Sequence, residues 1–369
     1  MPNLTLERNA QRRAELDQAE TPRQQLRSDH LSVMLTDIGL WQHAEGTAPN
    51  PRHGYSIDDE ARGLIVGLRY RKTGHSRRFY DKLAAICFRF IADAAIADGP
   101  DAGRYHNFCD DAGVWLDSVG SDDSFGRTVW GLGVAHAADA PYAPRAEAEA
   151  LLRRSLPQID TLKWNYLRAR AFVILGLAEA RIADDKIKQL ADYLCDAYEK
   201  VAVPEWQWFE EQMTYCNPRL PQALFVAARL FPEETRFARI AAESLDFLLL
   251  KTRNDHGSYD PVGNDRMTEA GWFTRHDAHP PLFDQQPVDA GALVECCVDA
   301  WQTTQEPRFR QAALDAYKWY DGANRHRLPV HNPETGGVSD ALTRHALNRN
   351  QGAESVLSIH LAHQALLTL

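Results

Sequence analysis

Two kinds of helix alternate along this chain, and that alternation restricts the fold more than any other feature. Residues 64–91, 171–199, 223–249 and 292–320 share one plan: an apolar helix, a short polar turn, then an amphipathic helix. Residues 128–156 follow it more loosely. The first helix of each pair is apolar nearly all round, as in Ala171–Ala180 and Val288–Trp301. Such a helix must be covered on every side. The second carries a stripe, Phe79, Leu83, Ile86, Cys87 and Phe90 in the first copy, and keeps one face wet. Inner helices therefore alternate with outer ones. A sixth inner helix, from about Gln351 to Leu367, has no outer partner downstream. The segment Leu26–Trp41 supplies one from the other terminus. The predicted fold is all-α: an (α/α)6 toroid of six helical hairpins, closed by pairing of the N-terminal helix with the C-terminal inner helix. An open solenoid is the alternative, but its repeats keep a steadier period than these. Residues 1–24 read as a polar N-terminal segment, and 25–369 as a single barrel domain with no internal linker.

The inner helices are predicted to begin near Tyr55, Ser124, Leu162, Asn217, Val288 and Gln351. Five of them follow crowded polar loops: HGYSIDDEAR (53–62), DSVGSDDSFGR (117–127), EWQWFEEQMTYCNPR (205–219), FDQQPVDAG (283–291) and GGVSDALTRHALNRNQGAES (336–355). Antiparallel hairpins place all six inner N-termini at one end, where free N–H groups and positive dipole ends collect. Long polar loops on a rigid scaffold are where function concentrates. An acidic, aromatic funnel of this kind suits a neutral polyhydroxy ligand, whose hydroxyls need polar partners and whose C–H faces need flat apolar ones.

Bulk properties narrow the partners. The net charge of −10 and the absence of any basic run exclude a nucleic-acid role, because phosphate binding needs a basic face. No signal-peptide pattern and no long uninterrupted apolar run appears, so a cytoplasmic location without membrane contact is expected. The six cysteines form no CxxC pair and read as reduced, mostly buried thiols. No phosphate loop, nucleotide fingerprint or GxSxG elbow is present, so no cofactor is expected. His276, Asp277 and His279 lack a metal-site spacing, so no metal is expected either.

The hairpin ring with acidic lead-in loops resembles the six-hairpin glycosidase superfamily. The strings HGYSIDDEARG, GSDDSFGR and GGVSDALTRHALNRNQGAES are similar to a bacterial family within it, whose members accompany sugar-transferring enzymes. The resemblance runs from about residue 25 onward and implies an oligosaccharide or glycoside substrate. Residue roles follow from chemistry instead.

Glycoside hydrolysis needs two carboxyl groups, a proton donor and a base or nucleophile. The candidates are Asp58 and Asp59, Asp123, Glu210 and Glu211, and Asp289. One acid before a helix is explained as a cap, and Ser56 with Asp59 fits a capping box. Two acids in one loop need a further reason. Glu211 or Glu210 is the expected donor, because Trp206, Trp208 and Phe209 surround them and an apolar setting raises a carboxyl pKa. Asp59 is the expected second acid, with Asp123 and Asp289 next. Arg62, one turn beyond Asp58, is expected to orient that carboxylate or grip a hydroxyl. Substrate contacts are expected from His53, Tyr55, Arg127, Trp206, Trp208, Tyr215, Asn217, Trp272, Asp340, Arg344, His345, Asn348, Asn350, Gln351 and Glu354. The rival reactions are a sugar epimerase using two histidines, from His53, His106 and His345, or a non-catalytic sugar-binding protein working with a glycosyltransferase.

Overall fold

The computed structural model describes residues 26–72, 77–139, 143–161, 166–264 and 272–369. The segment 1–24 and the predicted helix start at Leu162 lie outside these residues. Twelve α-helices are described: α1 (Asp29–Met34), α2 (Ile57–Lys72), α3 (Arg77–Asp93), α4 (Asp122–Ala137), α5 (Arg145–Thr161), α6 (Leu167–Ala180), α7 (Asp184–Val201), α8 (Arg219–Leu230), α9 (Thr235–Lys251), α10 (Pro287–Thr304), α11 (Pro307–Tyr317) and α12 (Ala353–Leu366).

The even-numbered helices form the inner ring. Each packs on the next, and α12 returns to α2, so the ring is closed. Each odd-numbered helix covers its inner neighbour from outside. The contrast in sequence explains the layering. Every residue of α4 from Ser124 to Ala135 is buried, whereas α7 buries only Ile187, Leu190, Ala191, Leu194, Cys195 and Tyr198. A helix apolar all round has one stable place, between two layers. The closing helix departs from expectation. Of Leu26–Trp41 only α1 is helical, and the chain then turns back through a Leu35–Leu40 bridge. Leu31, Met34 and His30 are buried, and the His30 imidazole bonds the Gln351 carbonyl at 2.8 Å, which ties the two chain ends together.

The closest approach in the ring is between α4 and α6. Gly133 faces Gly176 so tightly that a Cβ on Gly133 would lie 2.0 Å from the Gly176 carbonyl oxygen. Glycine there lets two backbones meet.

At the N-terminal end of the inner ring, two-residue strands stitch the long loops together. β1 (Ala44–Glu45) pairs with β2 (Ala48–Pro49), and β3 (Tyr55–Ser56) with β4 (Phe108–Cys109). β5 (Gln212–Met213) pairs with β6 (Phe273–Thr274), and β7 (Ala341–Leu342) with β8 (Leu347–Asn348). The β3–β4 and β5–β6 pairs each join different loops, so the mouth is braced around its rim. All six cysteines are free and buried. Among the described residues, no helix is long and apolar enough to cross a membrane.

One buried acid serves the fold. Glu60 on α2 is fully buried and accepts from the Leu40 N–H at 2.6 Å. Burial pushes its carboxyl up to about 8, although hydrogen bonds from Cys87 and Leu40 pull it back. An unfolded Glu titrates near 4.3. The folded chain therefore holds this proton more tightly, and the stability this confers is complete at low pH and declines as pH rises through about 8. Glu60→Gln keeps an acceptor for Leu40 and is expected to flatten that decline. Thermal melts of both proteins between pH 5 and pH 8 check this.

Candidate active site

All six inner helices contribute to one cluster at the mouth. The α2 start supplies Asp58, Asp59 and Arg62; α4 supplies Asp123 and Arg127; α6 supplies Arg168; the turn into α8 supplies Tyr215, Cys216 and Asn217; α10 supplies Asp289; α12 supplies Glu354. Beside them opens a cavity of about 350 Å³, lined by Asp58, Asp59, Arg62, Asp340, Glu354 and Phe108 among others.

Three guanidinium groups organise the acids. Arg62 bonds Asp59 at 2.9 Å and Glu354 at 2.5 Å. Arg127 holds the Asp123 carboxylate at 2.7 Å and stands 4.0 Å from Asp58 Oδ2. Arg168, almost wholly buried, bonds Glu210 at 2.7 Å, Asn217 at 2.9 Å and the Tyr215 carbonyl. Arg168, with Arg127 reaching the Cys216 sulfur at 3.8 Å, holds the turn into α8, where Cys216 adopts a left-handed φ of 46°.

The carboxyls are pushed in different directions by their surroundings. Burial pushes Asp58 up to about 6, against the nearby Arg127 charge. Its Oδ1 has no hydrogen-bond partner among the described residues. Burial likewise pushes Asp59 up to about 6, against Arg62, but both its oxygens are occupied: Ser56 donates to one at 3.0 Å and Arg62 to the other. The Ser56–Asp59 cap read from the sequence is thus present, with the Asp59 N–H bonding back to Ser56 at 3.4 Å. Asp289 is 3% exposed, and burial pushes it up to about 7. Asp123 behaves oppositely. Burial would raise it, but the Arg127 charge, with hydrogen bonds from Arg127 and from Tyr215 at 2.8 Å, holds it below the usual carboxylate range.

Several sequence expectations need correction. Glu211, expected to donate the proton, is 63% exposed and pairs with Arg275, just outside the β5–β6 pair. Glu210 is committed to Arg168. Trp206 and Trp208 are buried and pack as core, Trp206 edge-on to Phe247 and Phe273. Tyr55 is 1% exposed, stacked on Trp41 with its hydroxyl on Thr36. Arg62 grips Asp59 and Glu354 rather than Asp58. His53 is exposed and its ring meets that of His43 edge-on, at 4.8 Å. Arg344, His345 and Asn348 are exposed, Arg344 lying over Phe283. Asn350 bonds the Gly46 N–H and Gln351 packs on Gly337, so both brace the loop. Asn217 is consumed by Arg168 and Thr214. Asp340 lines the cavity, but its Oδ1 accepts from Gly352 and Ser355. Trp272 is half-buried beside Tyr215, 6.5 Å between ring centres. Asp122 is held by Arg104, so only Asp123 of that pair reaches the cluster. Arg168 was not anticipated. Two arginines, Arg168 and Arg170, at the start of a mostly apolar helix are its signal.

No protein-family profile and no curated protein sequence matches the chain. Solved structures do. A sugar epimerase from a ruminal bacterium matches with a TM-score of 0.70 at 13% identity, covering 96% of this chain and 98% of that one. A cellobiose 2-epimerase from Bacillus thermoamylovorans matches at 0.72 and 10% identity, covering 96% and 98%. An alpha-1,6-mannanase from Salegentibacter matches at 0.60 and 10% identity, covering 92% and 96%. The chain has the six-hairpin toroid fold. A second structure of that mannanase is an inactive variant, with two consecutive aspartates replaced by alanine, in complex with alpha-1,6-mannotetrose.

Proposed function

We propose that this chain is a glycoside hydrolase acting on a neutral oligosaccharide, with Asp58 as proton donor and Asp123 as its ionised partner. What carries this is the placing of two carboxyls around the Arg127 guanidinium in environments that push them in opposite directions, burial raising Asp58 while Arg127 and Tyr215 lower Asp123. Environments that push paired carboxyls apart assign acid and base. Both oxygens are measured from Arg127 Nε, so they lie at most about 7 Å apart, an upper bound compatible with the roughly 5–5.5 Å of retaining pairs and with the near end of the roughly 6.5–9.5 Å inverting range.

The protonated Asp58 gives its proton to the glycosidic oxygen as the bond to the anomeric carbon breaks, and the aglycone leaves as an alcohol. The Asp123 carboxylate stabilises the cationic sugar carbon and either attacks it or takes a proton from the attacking water. In the first route water then breaks the Asp123 ester, keeping one proton on the new anomeric hydroxyl and giving the other to the Asp58 carboxylate; in the second, Asp123 takes that other proton and exchange with solvent returns one to Asp58. Asp59 is a positioning residue that fixes Arg62, and Arg62 with Glu354 offers donors and acceptors to sugar hydroxyls. The mannanase that loses activity with two adjacent aspartates supports this reading, since this chain sets Asp58–Asp59 and Asp122–Asp123 at two inner-helix starts.

The pH dependence follows from these environments. Activity needs Asp58 protonated, so kcat/KM falls as pH rises through about 6. It needs Asp123 ionised, so activity falls again only when pH drops below the usual carboxylate range. A pH–rate profile on a cleavable glycoside checks both limbs. Glu211→Gln, at an exposed ion pair, is expected to change kcat/KM by less than about twofold.

A second reading has a specific observation in its favour: the epimerase structures superpose well, and His43 lines the cavity with His53 edge-on beside it. Incubation with manno-, gluco- and galacto-oligosaccharides separates the two. Hydrolysis releases new reducing ends. Epimerisation converts a free sugar without new reducing ends and incorporates solvent deuterium at the epimerised carbon.

A further inference from the structure

The reaction assigned to the mouth makes no use of one contact there. The Tyr215 hydroxyl donates to Asp123 Oδ1 at 2.8 Å. The other oxygen, Oδ2, takes Arg127 Nε at 2.7 Å. One donor on each oxygen fixes the plane of the carboxylate as well as its place. Arg127 lies one turn further along the same helix as Asp123, whereas Tyr215 comes from the turn into α8. The carboxylate is thus held between two elements of the ring.

The turn is built to aim that hydroxyl. The Asn217 side chain accepts from the Thr214 N–H at 3.0 Å and donates to the Thr214 carbonyl at 2.9 Å, which closes the turn on itself. Arg168 enters from α6 and bonds the Tyr215 carbonyl, Asn217 and Glu210. Its guanidinium carbon lies 5.2 Å from the centre of the Tyr215 ring. Asp289 on α10 faces the Cys216 and Asn217 N–H groups. Buried Arg168 and buried Asp289 therefore converge on one turn, with the left-handed Cys216 between Tyr215 and Asn217. A non-glycine residue keeps such a backbone only where its surroundings over-determine it, and such places cluster at functional sites.

The hydroxyl is a dependable donor. Burial and the Asp123 charge push the Tyr215 phenol well above its ordinary range, so it keeps its proton at every working pH. A donor bonded to a carboxylate favours the ionised form. The other charges facing Asp123 are Arg127 on its own helix and, from α2, Asp58 and Arg62, the last tied to Glu354 of α12. The two arginines favour the ionised carboxylate, and Asp58 opposes it only when itself ionised. Tyr215→Phe leaves all of these in place.

We propose that Tyr215 is a positioning residue: with Arg127 it fixes the plane of the Asp123 carboxylate and holds its negative charge toward the sugar carbon. This role rests on Asp123 acting in the hydrolysis proposed above. Tyr215→Phe removes one oxygen and keeps the ring beside Arg168 and Trp272. The acid limb of its kcat/KM profile is expected to move up by about one to two pH units, the worth of one hydrogen bond to a charged group. The alkaline limb, set by Asp58, stays. On the plateau kcat falls about tenfold and KM changes less than about twofold, because a carboxylate gripped on one side swings out of line with the sugar carbon. Tyr198→Phe, which removes a buried hydroxyl bonded to Glu243 between outer helices, leaves both limbs in place. Carbon NMR of protein isotopically labelled at aspartate follows Asp123 directly, with Asp123→Asn assigning the signal, and its titration should move up in Tyr215→Phe by the same amount. An unmoved acid limb together with an unmoved Asp123 titration overturns the proposal. A lower melting temperature with both unmoved overturns it equally, since the bond is then a tether of the fold alone. A shifted titration in a protein that cleaves no glycoside keeps the hold of Tyr215 on Asp123 and overturns the hydrolytic assignment instead.

Discussion

Asp58→Asn is expected to lower kcat about 10²–10⁴-fold, the usual contribution of a positioned general acid. The change is nearly isosteric, and it removes a carboxyl that burial already holds toward its neutral form. Stability should therefore be kept, and KM should move little, because the lost interaction belongs to the transition state. The same substitution removes the alkaline limb of the pH profile while leaving the acid limb, which reports Asp123. Substrates whose leaving group needs no proton, such as aryl glycosides with acidic phenols, should recover much of the loss. Steady-state kinetics on an aryl glycoside and on an oligosaccharide, with the melting temperature as a control, measure all of this. A uniform loss on both substrates contradicts a donor role for Asp58.

Gly133→Ala is expected to destabilise the fold by about 3 kcal/mol or more, despite the better helix propensity of alanine. The added Cβ would stand 2.0 Å from the Gly176 carbonyl oxygen. The obstacle is backbone, which no rotamer relieves, so α4 and α6 must separate and every contact of that seam loosens. Gly131→Ala on the same helix is the control. Its Cβ meets Ala61 at 3.3 Å, a gap that small shifts accommodate, and a change within about 1 kcal/mol is expected. Urea unfolding of the two variants gives the contrast. Equal stability would mean that the α4–α6 contact is looser than described.

The architecture was legible because it depends on burial, and burial is written in composition. A helix such as Ala171–Ala180 has no face to show to water. Five inner helices begin within two residues of their predicted starts. That geometry places Asp58, Asp59 and Glu354 on the cavity wall, with Asp123 joined to Asp58 through Arg127. Side-chain direction was not legible. Glu210 and Glu211 look equivalent in sequence, yet the β5–β6 pairing sends Glu211 outward while Arg168 draws Glu210 in. Trp206 and Trp208 sit in a loop but plug the space under it, which a sequence cannot distinguish from a stacking platform. The Arg344–Asn348 cluster faces solvent, so its density of polar groups reflects a wet hairpin tip.

The central claim is that the mouth works on a glycosidic bond held between Asp58 and Asp123. A crystal structure of the Asp58→Asn protein with a bound manno- or gluco-oligosaccharide tests it most directly. The account predicts a glycosidic oxygen within hydrogen-bond reach of residue 58, with the anomeric carbon facing the Asp123 carboxylate and hydroxyls on Arg62 and Glu354. A sugar seated with its reducing-end ring against His43, or bound with no glycosidic oxygen near residue 58, would contradict it.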